Sequence, residues 1–282
     1  MNASRLALGT VQFGLDYGVT NTAGRVAEDA AEAILDRAAA AGIDLLDTAS
    51  AYGDSEAVLG RIASPTFRVV TKIGGPPARF ADLARASAAR LGRTPDGILL
   101  HDARALMGRE ATAVTAALLA LRERGLVKRI GVSVYTPEAL EAACTLFRPD
   151  VVQLPFNVLD RRFERTGWLA QLQGTGVEVH ARSLFLQGAL LGAETPVRLA
   201  FAAPVFEAFR EACAAAQITP LEACLSVGLA APLDRLVVGV TSVAELDAIL
   251  AAAANPRPLP TTFDALATDD PALVDPSRWP QG

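Results

Sequence analysis

Four polar side chains close or follow apolar runs of this chain, and together they could carry out a reaction. Asp47 ends Ile43-Asp44-Leu45-Leu46-Asp47, Lys72 ends Val69-Val70-Thr71-Lys72, His101 ends Ile98-Leu99-Leu100-His101, and Tyr52 lies five residues past Asp47. A carboxylate and an ammonium on neighbouring strand ends offset each other's burial, which is costly for either alone. A phenol titrates near ~10 in water, too high for an efficient proton donor at neutral pH, and a nearby ammonium lowers that value by stabilising the phenolate. Asp47 would keep Lys72 charged and oriented, and His101 would donate a hydrogen bond to a substrate oxygen. The set describes reduction of a carbonyl, in which hydride arrives at carbon from elsewhere while Tyr52 protonates oxygen. Each residue also has a plainer reading: Asp47 as a turn cap, Lys72 as a solvated strand end, His101 as structural, Tyr52 as a ring packed at a cavity mouth. Lys72 could also be a Schiff-base nucleophile of an aldolase-type barrel, a role Asp47 disfavours by holding the amine protonated.

These residues need a scaffold that brings strand ends together. Eight short β-type runs occur, at 6–11, 43–47, 67–72, 97–101, 129–133, 150–154, 177–182 and 236–240. Most are nearly continuous apolar stretches, as expected for parallel strands buried on both faces. Helical patterns separate them at 27–41, 55–62, 80–91, 110–124, 137–147 and 159–173, with 204–217 and 220–229 before the last strand and 243–254 after it. Thr136-Pro137 and Thr219-Pro220 place a hydroxyl at N-cap and Pro at the first helical position. Thr219…Glu222 and Ser242…Glu245 have capping-box spacing, and Gly42 and Gly125 stand where a left-handed C′ residue is wanted. Eight strand–helix units predict a (β/α)8 TIM barrel, whose reactive groups lie at the C-terminal strand ends. A doubly wound open sheet is the alternative; no Gly-x-Gly-x-x-Gly follows the first run, which weakens a Rossmann reading. A single domain over 1–282 is expected, with 255–282, rich in Pro and Asp, as an irregular tail wrapping the barrel.

Composition narrows the function classes. The chain of 282 residues is 51% hydrophobic and 20% charged, enough for a large core. Its net charge of −5 argues against nucleic acid as the main partner. Cys144, Cys213 and Cys224 are odd in number and widely spaced, which fits a reducing compartment and neither a disulfide framework nor zinc. Two histidines leave little scope for a His-built metal centre, so no metal is expected. The N-terminal Met1-Asn2-Ala3-Ser4-Arg5 stretch begins no long apolar leader, and no run is long enough to span a bilayer, so a cytoplasmic protein is expected.

The stretch Gly42-Ile43-Asp44-Leu45-Leu46-Asp47-Thr48-Ala49-Ser50-Ala51-Tyr52-Gly53, followed by Ser55-Glu56 and Leu59-Gly60, resembles the first signature of the aldo-keto reductase superfamily. Thr71-Lys72, Leu99-Leu100-His101-Asp102 and Ile130-Gly131-Val132-Ser133 are similar to its later motifs, in order. The resemblance implies a (β/α)8 barrel, reduction of an aldehyde or ketone with NAD(P)(H), and a catalytic tetrad of Asp47, Tyr52, Lys72 and His101 with Tyr52 as general acid. It also implies that Ser133 and Gln153 hold the nicotinamide carboxamide, with Val134 where the family has Asn. Arg182, in Ala181-Arg182-Ser183-Leu184, stands where an aromatic residue usually stacks on the nicotinamide. A guanidinium there would stack too, and its charge would disfavour the oxidised ring. Thr10, Asp47, Ser183 and Leu184 join the implied cofactor set, as do Gly239, Thr241, Ser242 and Glu245 at the adenosine end. Gly239 and Glu245 replace the Lys and Arg that hold a 2′-phosphate in many relatives, which implies NAD(H) or dual use. Glu245 as the capping partner of Ser242 is an equal reading.

The opening Leu8-Gly9-Thr10-Val11-Gln12-Phe13-Gly14-Leu15-Asp16-Tyr17-Gly18 is similar to a bacterial branch linked to surface-polysaccharide or other sugar metabolism, implying a sugar-derived carbonyl substrate. Phe13, Tyr17, Tyr52 and His101 are the expected substrate contacts, with Trp168, Phe185 and Trp279 as further aromatic candidates and Asp16 and Asn157 as candidates for sugar hydroxyls. Two other readings keep the barrel and the nucleotide: a regulatory subunit like the potassium-channel β-subunits, and internal redox without net cofactor consumption. The oligomeric state stays open.

Overall fold

The computed structural model describes residues 2–280. Met1, Gln281 and Gly282, the ends of the expected domain and tail, lie outside the described residues. Eight parallel strands close into a barrel in sequence order, β1 Leu6–Gly9, β2 Leu45–Asp47, β3 Arg68–Ile73, β4 Gly97–Leu100, β5 Arg129–Ser133, β6 Val151–Pro155, β7 Glu178–Arg182 and β8 Arg235–Gly239. Leu6 to Gly9 pair with Leu236 to Gly239, so the first and last strands seal the sheet. Around it run α1 Glu28–Ala40, α2 Ser55–Ile62, α3 Phe80–Leu91, α4 Ala111–Glu123, α5 Pro137–Leu146, α6 Arg162–Arg165, α7 Trp168–Leu172, α8 Ala203–Ala215, α9 Pro220–Ala230, α10 Val243–Ala254 and α11 Pro271–Val274. Among the described residues no single helix is long and apolar enough to cross a membrane.

Local chemistry explains the boundaries. Glu28 and Asp29 suit the positive end of α1, and Ala31, Ile34, Leu35 and Ala38 form its buried stripe at helical spacing. Gly42 and Gly125 adopt the expected left-handed conformation, with φ of 85° and 67°. At the end of α1 the N–H of Ile43 is used to close the helix on Ala38, which shortens β2 from the expected 43–47. β1 stops at Gly9 because Phe13 N–H turns back to the Thr10 carbonyl. Thr136 caps α5, and Thr219 with Glu222 closes a full capping box on α9. The second expected box is not closed: Ser242 caps the Glu245 N–H, but the Glu245 carboxylate accepts from the Thr241 N–H at 2.6 Å instead. The expected helix over 159–173 is two short pieces, broken where Gly167 takes φ +82°. The tail is not wholly irregular, since Asp270 caps the single turn of α11. It packs onto the barrel through Phe263, Leu273, Val274 and Trp279, all buried.

The strand period sets which residues meet inside the barrel. Ala7, Leu45, Val70, Leu99 and Val151 form an apolar cluster of their own, separate from the larger core between strands and helices. Two residues towards the N-terminal ends on the same inward faces lie Arg68, Arg129, Glu178 and Arg235, a charged floor. Arg68 and Arg129 both reach Asp96 and Glu178, and Arg235 reaches Asp44. Burial works against the Glu178 charge, yet the hydrogen bond with His180 and the two arginines hold its carboxyl well below the usual range. Two residues towards the C-terminal ends lie Gly9, Asp47, Lys72, His101, Gln153 and Gly239, the ceiling of the interior. The alternation that fills the core therefore aims the polar strand ends at one opening.

Candidate active site

A cavity of about 660 Å³ occupies that opening, within the size range of small-molecule sites. Lys72 is buried at its base, and its ammonium donates to Asp47 Oδ1 at 2.6 Å, the Thr48 carbonyl at 3.1 Å and Tyr52 Oη at 3.4 Å. All three of its N–H bonds are thus engaged. Burial opposes the charge on Lys72, but Asp47 and Tyr52 more than offset it and hold the ammonium above its ordinary range. Because Tyr52 Oη accepts from Lys72, its own O–H is left for an acceptor in the cavity. The ammonium also stands where phenolate charge would develop if that proton left. Gln153 Nε2 donates to the other oxygen of Asp47 at 2.7 Å, so the carboxylate is fixed from both sides.

The loop bearing Tyr52 is held by close backbone approach. A Cβ on Gly14 would collide with the Tyr52 carbonyl, and one on Gly53 (φ +52°) with the Gly14 carbonyl. Only glycines let the segment after β1 lie against the turn after β2. Beneath it, Ser55 Oγ donates to the Thr10 carbonyl at 2.8 Å and lies within 3.0 Å of Thr10 Oγ1 and Thr48 Oγ1. Thr10 borders the cavity, but its hydroxyl donates to the Asp47 carbonyl at 3.0 Å, so it braces the site.

His101 meets the Tyr52 ring edge to face, with centroids 5.8 Å apart. Burial, then the charge of Lys72, lower its pKa to about 4. The ring is therefore neutral at physiological pH, with one N–H to donate. With only two histidines in the chain, NMR titration of the ring protons checks this directly: the His101 signals stay unshifted from pH 7 to 5 and move near 4. The unfolded chain takes up the proton near 6.5, so His101 costs stability progressively as pH falls from 6.5 towards 4. A titration midpoint near 6.5 would contradict the placement.

Most of the expected cofactor residues line this cavity: Ser133, Gln153, Arg182, Ser183, Leu184 and Gly239, together with Thr241 and Glu245. Ser242 does not, since its hydroxyl caps α10. Arg182 has a protein neighbour that the sequence did not suggest. Its guanidinium lies over the Tyr135 ring, Cζ 4.1 Å from the centroid, and donates to the Val134 carbonyl and Ser183 Oγ. Val134 itself points into the outer core. Ser183, Leu186 and Gln187 all have positive φ, a concentration of strained backbone at the cavity rim.

Of the expected substrate residues, Tyr17, Tyr52 and His101 line the cavity and so does Phe185, whereas Phe13 is sealed in the core because it packs inward from the turn after β1. Trp168 lines a separate cleft with Cys144 and Phe147 on the barrel exterior, and Asp16 is exposed outside the lining. Trp279 is buried with its indole N–H on the Leu273 carbonyl; the tail reaches the cavity through Pro276 and Ser277 instead. Asn157 donates to the Ser183 carbonyl and accepts from the Leu159 and Asp160 N–H groups, so it shapes the loop, buried outside the cavity lining.

Sequence reasoning missed Gln12, Tyr135 and Gln187. Tyr135 was findable, standing two residues past Ser133, and with it all three tyrosines of the chain face one cavity. Gln12 had no signal of its own.

The lining suits a nicotinamide dinucleotide. Gln153 Oε1 is buried without a partner while its Nε2 is committed to Asp47, which leaves an acceptor for a carboxamide N–H. Gln12 Oε1 is a second unpartnered acceptor, and a Cβ on Gly239 would meet the Gln12 amide at 2.7 Å, so glycine keeps that wall open.

Comparison with known proteins agrees with this architecture. Aldo-keto reductase AKR11C1 from Bacillus halodurans in its holo form superposes with a TM-score of 0.77 at 20% identity, covering 97% of this chain and 95% of that one. Glycerol dehydrogenase AKR11B4 from Gluconobacter oxydans gives 0.72 at 21% identity, covering 96% and 92%. PA4992 from Pseudomonas aeruginosa gives 0.67 at 22% identity, covering 89% of each. At these identities the likeness establishes the fold. No curated protein matches the chain. The profile of the Aldo/keto reductase family matches residues 5–262, nearly the whole sequence, and the chain therefore belongs to the aldo/keto reductase family.

Proposed function

We propose that this protein is an NAD(P)(H)-dependent reductase of an aldehyde or ketone, a sugar derivative among them, with Tyr52 as the proton donor. The observation that carries this reading is the chain of contacts Asp47 Oδ1–Lys72 Nζ–Tyr52 Oη, at 2.6 and 3.4 Å, opening into the cavity beside a neutral His101. Reduced nicotinamide, when bound, supplies the hydride. Tyr52 gives its proton to the carbonyl oxygen, and Lys72 stabilises the oxygen it leaves behind. His101 donates a hydrogen bond to the same carbonyl oxygen and polarises it without adding a charge. Ser133 and Gln153 would hold the carboxamide, and Ser183, Leu184 and the segment from Gly239 to Glu245 the rest of the dinucleotide. A Schiff-base role for Lys72 is unsupported, because a protonated ammonium with all three N–H bonds engaged is a poor nucleophile.

The same reading favours NAD(H) or dual use. Towards the adenosine end the lining offers Leu221, Val240, Thr241 and Ile249 with the Glu245 carboxylate; the cations of the lining are Lys72 and Arg182, at the chemical end. A 2′-phosphate would meet a negative charge and no positive one. We also read the chain as one domain, because tail residues Pro276 and Ser277 help wall the cavity, and as a cytoplasmic protein, because Cys144, Cys213 and Cys224 are free thiols.

The test is nicotinamide oxidation by purified protein with a panel of sugar aldehydes and ketones, together with Kd values for both reduced dinucleotides. Aldehyde-dependent consumption is expected, with NADH bound at least as tightly as NADPH. No consumption with any member would contradict the reaction, and much tighter NADPH would contradict the cofactor preference.

A further inference from the structure

Arg182 ends β7 on the inward face, half-buried in the wall of the cavity that holds Tyr52 and His101. Three contacts fix its guanidinium: the Tyr135 ring at 4.1 Å, the Val134 carbonyl at 3.1 Å and Ser183 Oγ at 3.2 Å. None of these partners is an anion. The other cation of the lining, Lys72, is matched by Asp47 at 2.6 Å, and Asp47 is held on its far side by Gln153. Glu245, the remaining carboxylate of the lining, is turned into its own loop by the Thr241 N–H and hydroxyl. Among the described residues no carboxylate lies within ion-pair distance of Arg182, whereas fourteen other arginines form ion pairs. A guanidinium carries five N–H donors, and two are used here, so three remain, including Nε–H. A half-buried cation without a counter-ion is unfavourable until something supplies the opposite charge. Stacking on Tyr135 has already fixed the plane of a fork that matches a carboxylate or phosphate in two-point contact.

We infer that Arg182 anchors an anionic group on the substrate, so that the enzyme favours carbonyl compounds carrying a carboxylate or phosphate over neutral ones of the same size. The inference rests on the proposed carbonyl reduction. The field of Arg182 also reaches the His101 ring and the Tyr17 phenol, which places the charge at the chemical end of the cavity. Tyr17, Tyr135 and Gln187 line the same stretch of wall and supply the remaining contacts to such a molecule.

The test compares matched pairs: succinic semialdehyde with butanal for a carboxylate, and glyceraldehyde 3-phosphate with glyceraldehyde for a phosphate. In the wild type, kcat/KM for the anionic member of at least one pair exceeds that of its neutral partner by about tenfold or more. Arg182→Gln lowers that anionic-to-neutral ratio by roughly 10–100-fold, as expected for loss of a charge-assisted contact, and Arg182→Lys restores part of it. The pair whose ratio falls identifies the anion. Unchanged ratios in both pairs would overturn the inference, and a weaker Kd for NADH in Arg182→Gln alongside them would assign the guanidinium to the cofactor instead. Calorimetric titration of the NAD⁺-loaded protein with malonate and with inorganic phosphate is independent of turnover. Binding that Arg182→Gln abolishes supports the anchor even if no aldehyde of the panel is reduced, a result that would sink only the proposed reaction. Equal binding, or none, in wild type and variant would overturn the anchor itself.

Discussion

Tyr52→Phe lowers kcat for carbonyl reduction by about 10³-fold while the protein still binds reduced dinucleotide. The substitution removes one oxygen, the atom that accepts from Lys72 Nζ at 3.4 Å and whose own proton faces the cavity. Proton transfer from a positioned side chain is worth roughly 10²–10⁴-fold, and no other group of the site is placed to replace it. His101 is held neutral by burial and by Lys72, so it is a weak acid and serves as a hydrogen-bond donor. The half-buried ring keeps its edge-to-face contact with His101 in the variant, so stability changes little. Single-turnover kinetics with dinucleotide preloaded separate the two effects. A lost chemical step with retained cofactor affinity is the expected pattern, and full activity in the variant would remove Tyr52 from the mechanism.

Lys72→Met acts on both stability and chemistry. The side chain is buried and its ammonium pairs with Asp47 at 2.6 Å, so removing it strands a buried carboxylate with only Gln153 to satisfy it. Breaking such a pair costs about 3–5 kcal/mol, which for a chain of this size lowers Tm on the order of 10 °C. Turnover is lost as well, because nothing then stabilises the oxygen from which the proton departs. The double variant Asp47→Asn/Lys72→Met separates the two consequences. Removing both charges recovers most of the lost stability but none of the activity. Thermal unfolding and turnover of the wild type, the single and the double variant form the complete measurement. Retained activity in Lys72→Met would show that the ammonium is structural.

Much of this site was legible before any coordinates. The strand period carried the most information: once Leu45, Val70 and Leu99 face the barrel interior, Asp47, Lys72 and His101 must face the opening two residues further on. What escaped had physical causes. Phe13 looked like a pocket aromatic because it follows a strand end, but a tight turn from Thr10 drives it into the core. Asn157 looked like a sugar ligand, yet it is buried and bonds two backbone N–H groups of its own loop and the Ser183 carbonyl after β7. Trp168 fell on the outside because Gly167 breaks the expected helix and redirects the chain. Arg182 stands in the expected wall, but its contact with Tyr135 was not legible: side-chain stacking depends on the distance between two strand ends, which spacing along one strand does not encode. Ser242 and Glu245 show the same limit, since the capping spacing was correct and the carboxylate chose the Thr241 N–H one residue earlier.

The most direct measurement is a crystal structure of the protein with its reduced dinucleotide. The account predicts the carboxamide on Ser133 and the unpartnered Gln153 Oε1, with C4 of the ring facing the space beneath Tyr52 Oη, so that one carbonyl group can receive hydride at carbon and a proton at oxygen. A ring bound elsewhere in the cavity, or a Tyr52 hydroxyl turned away from C4, would contradict it.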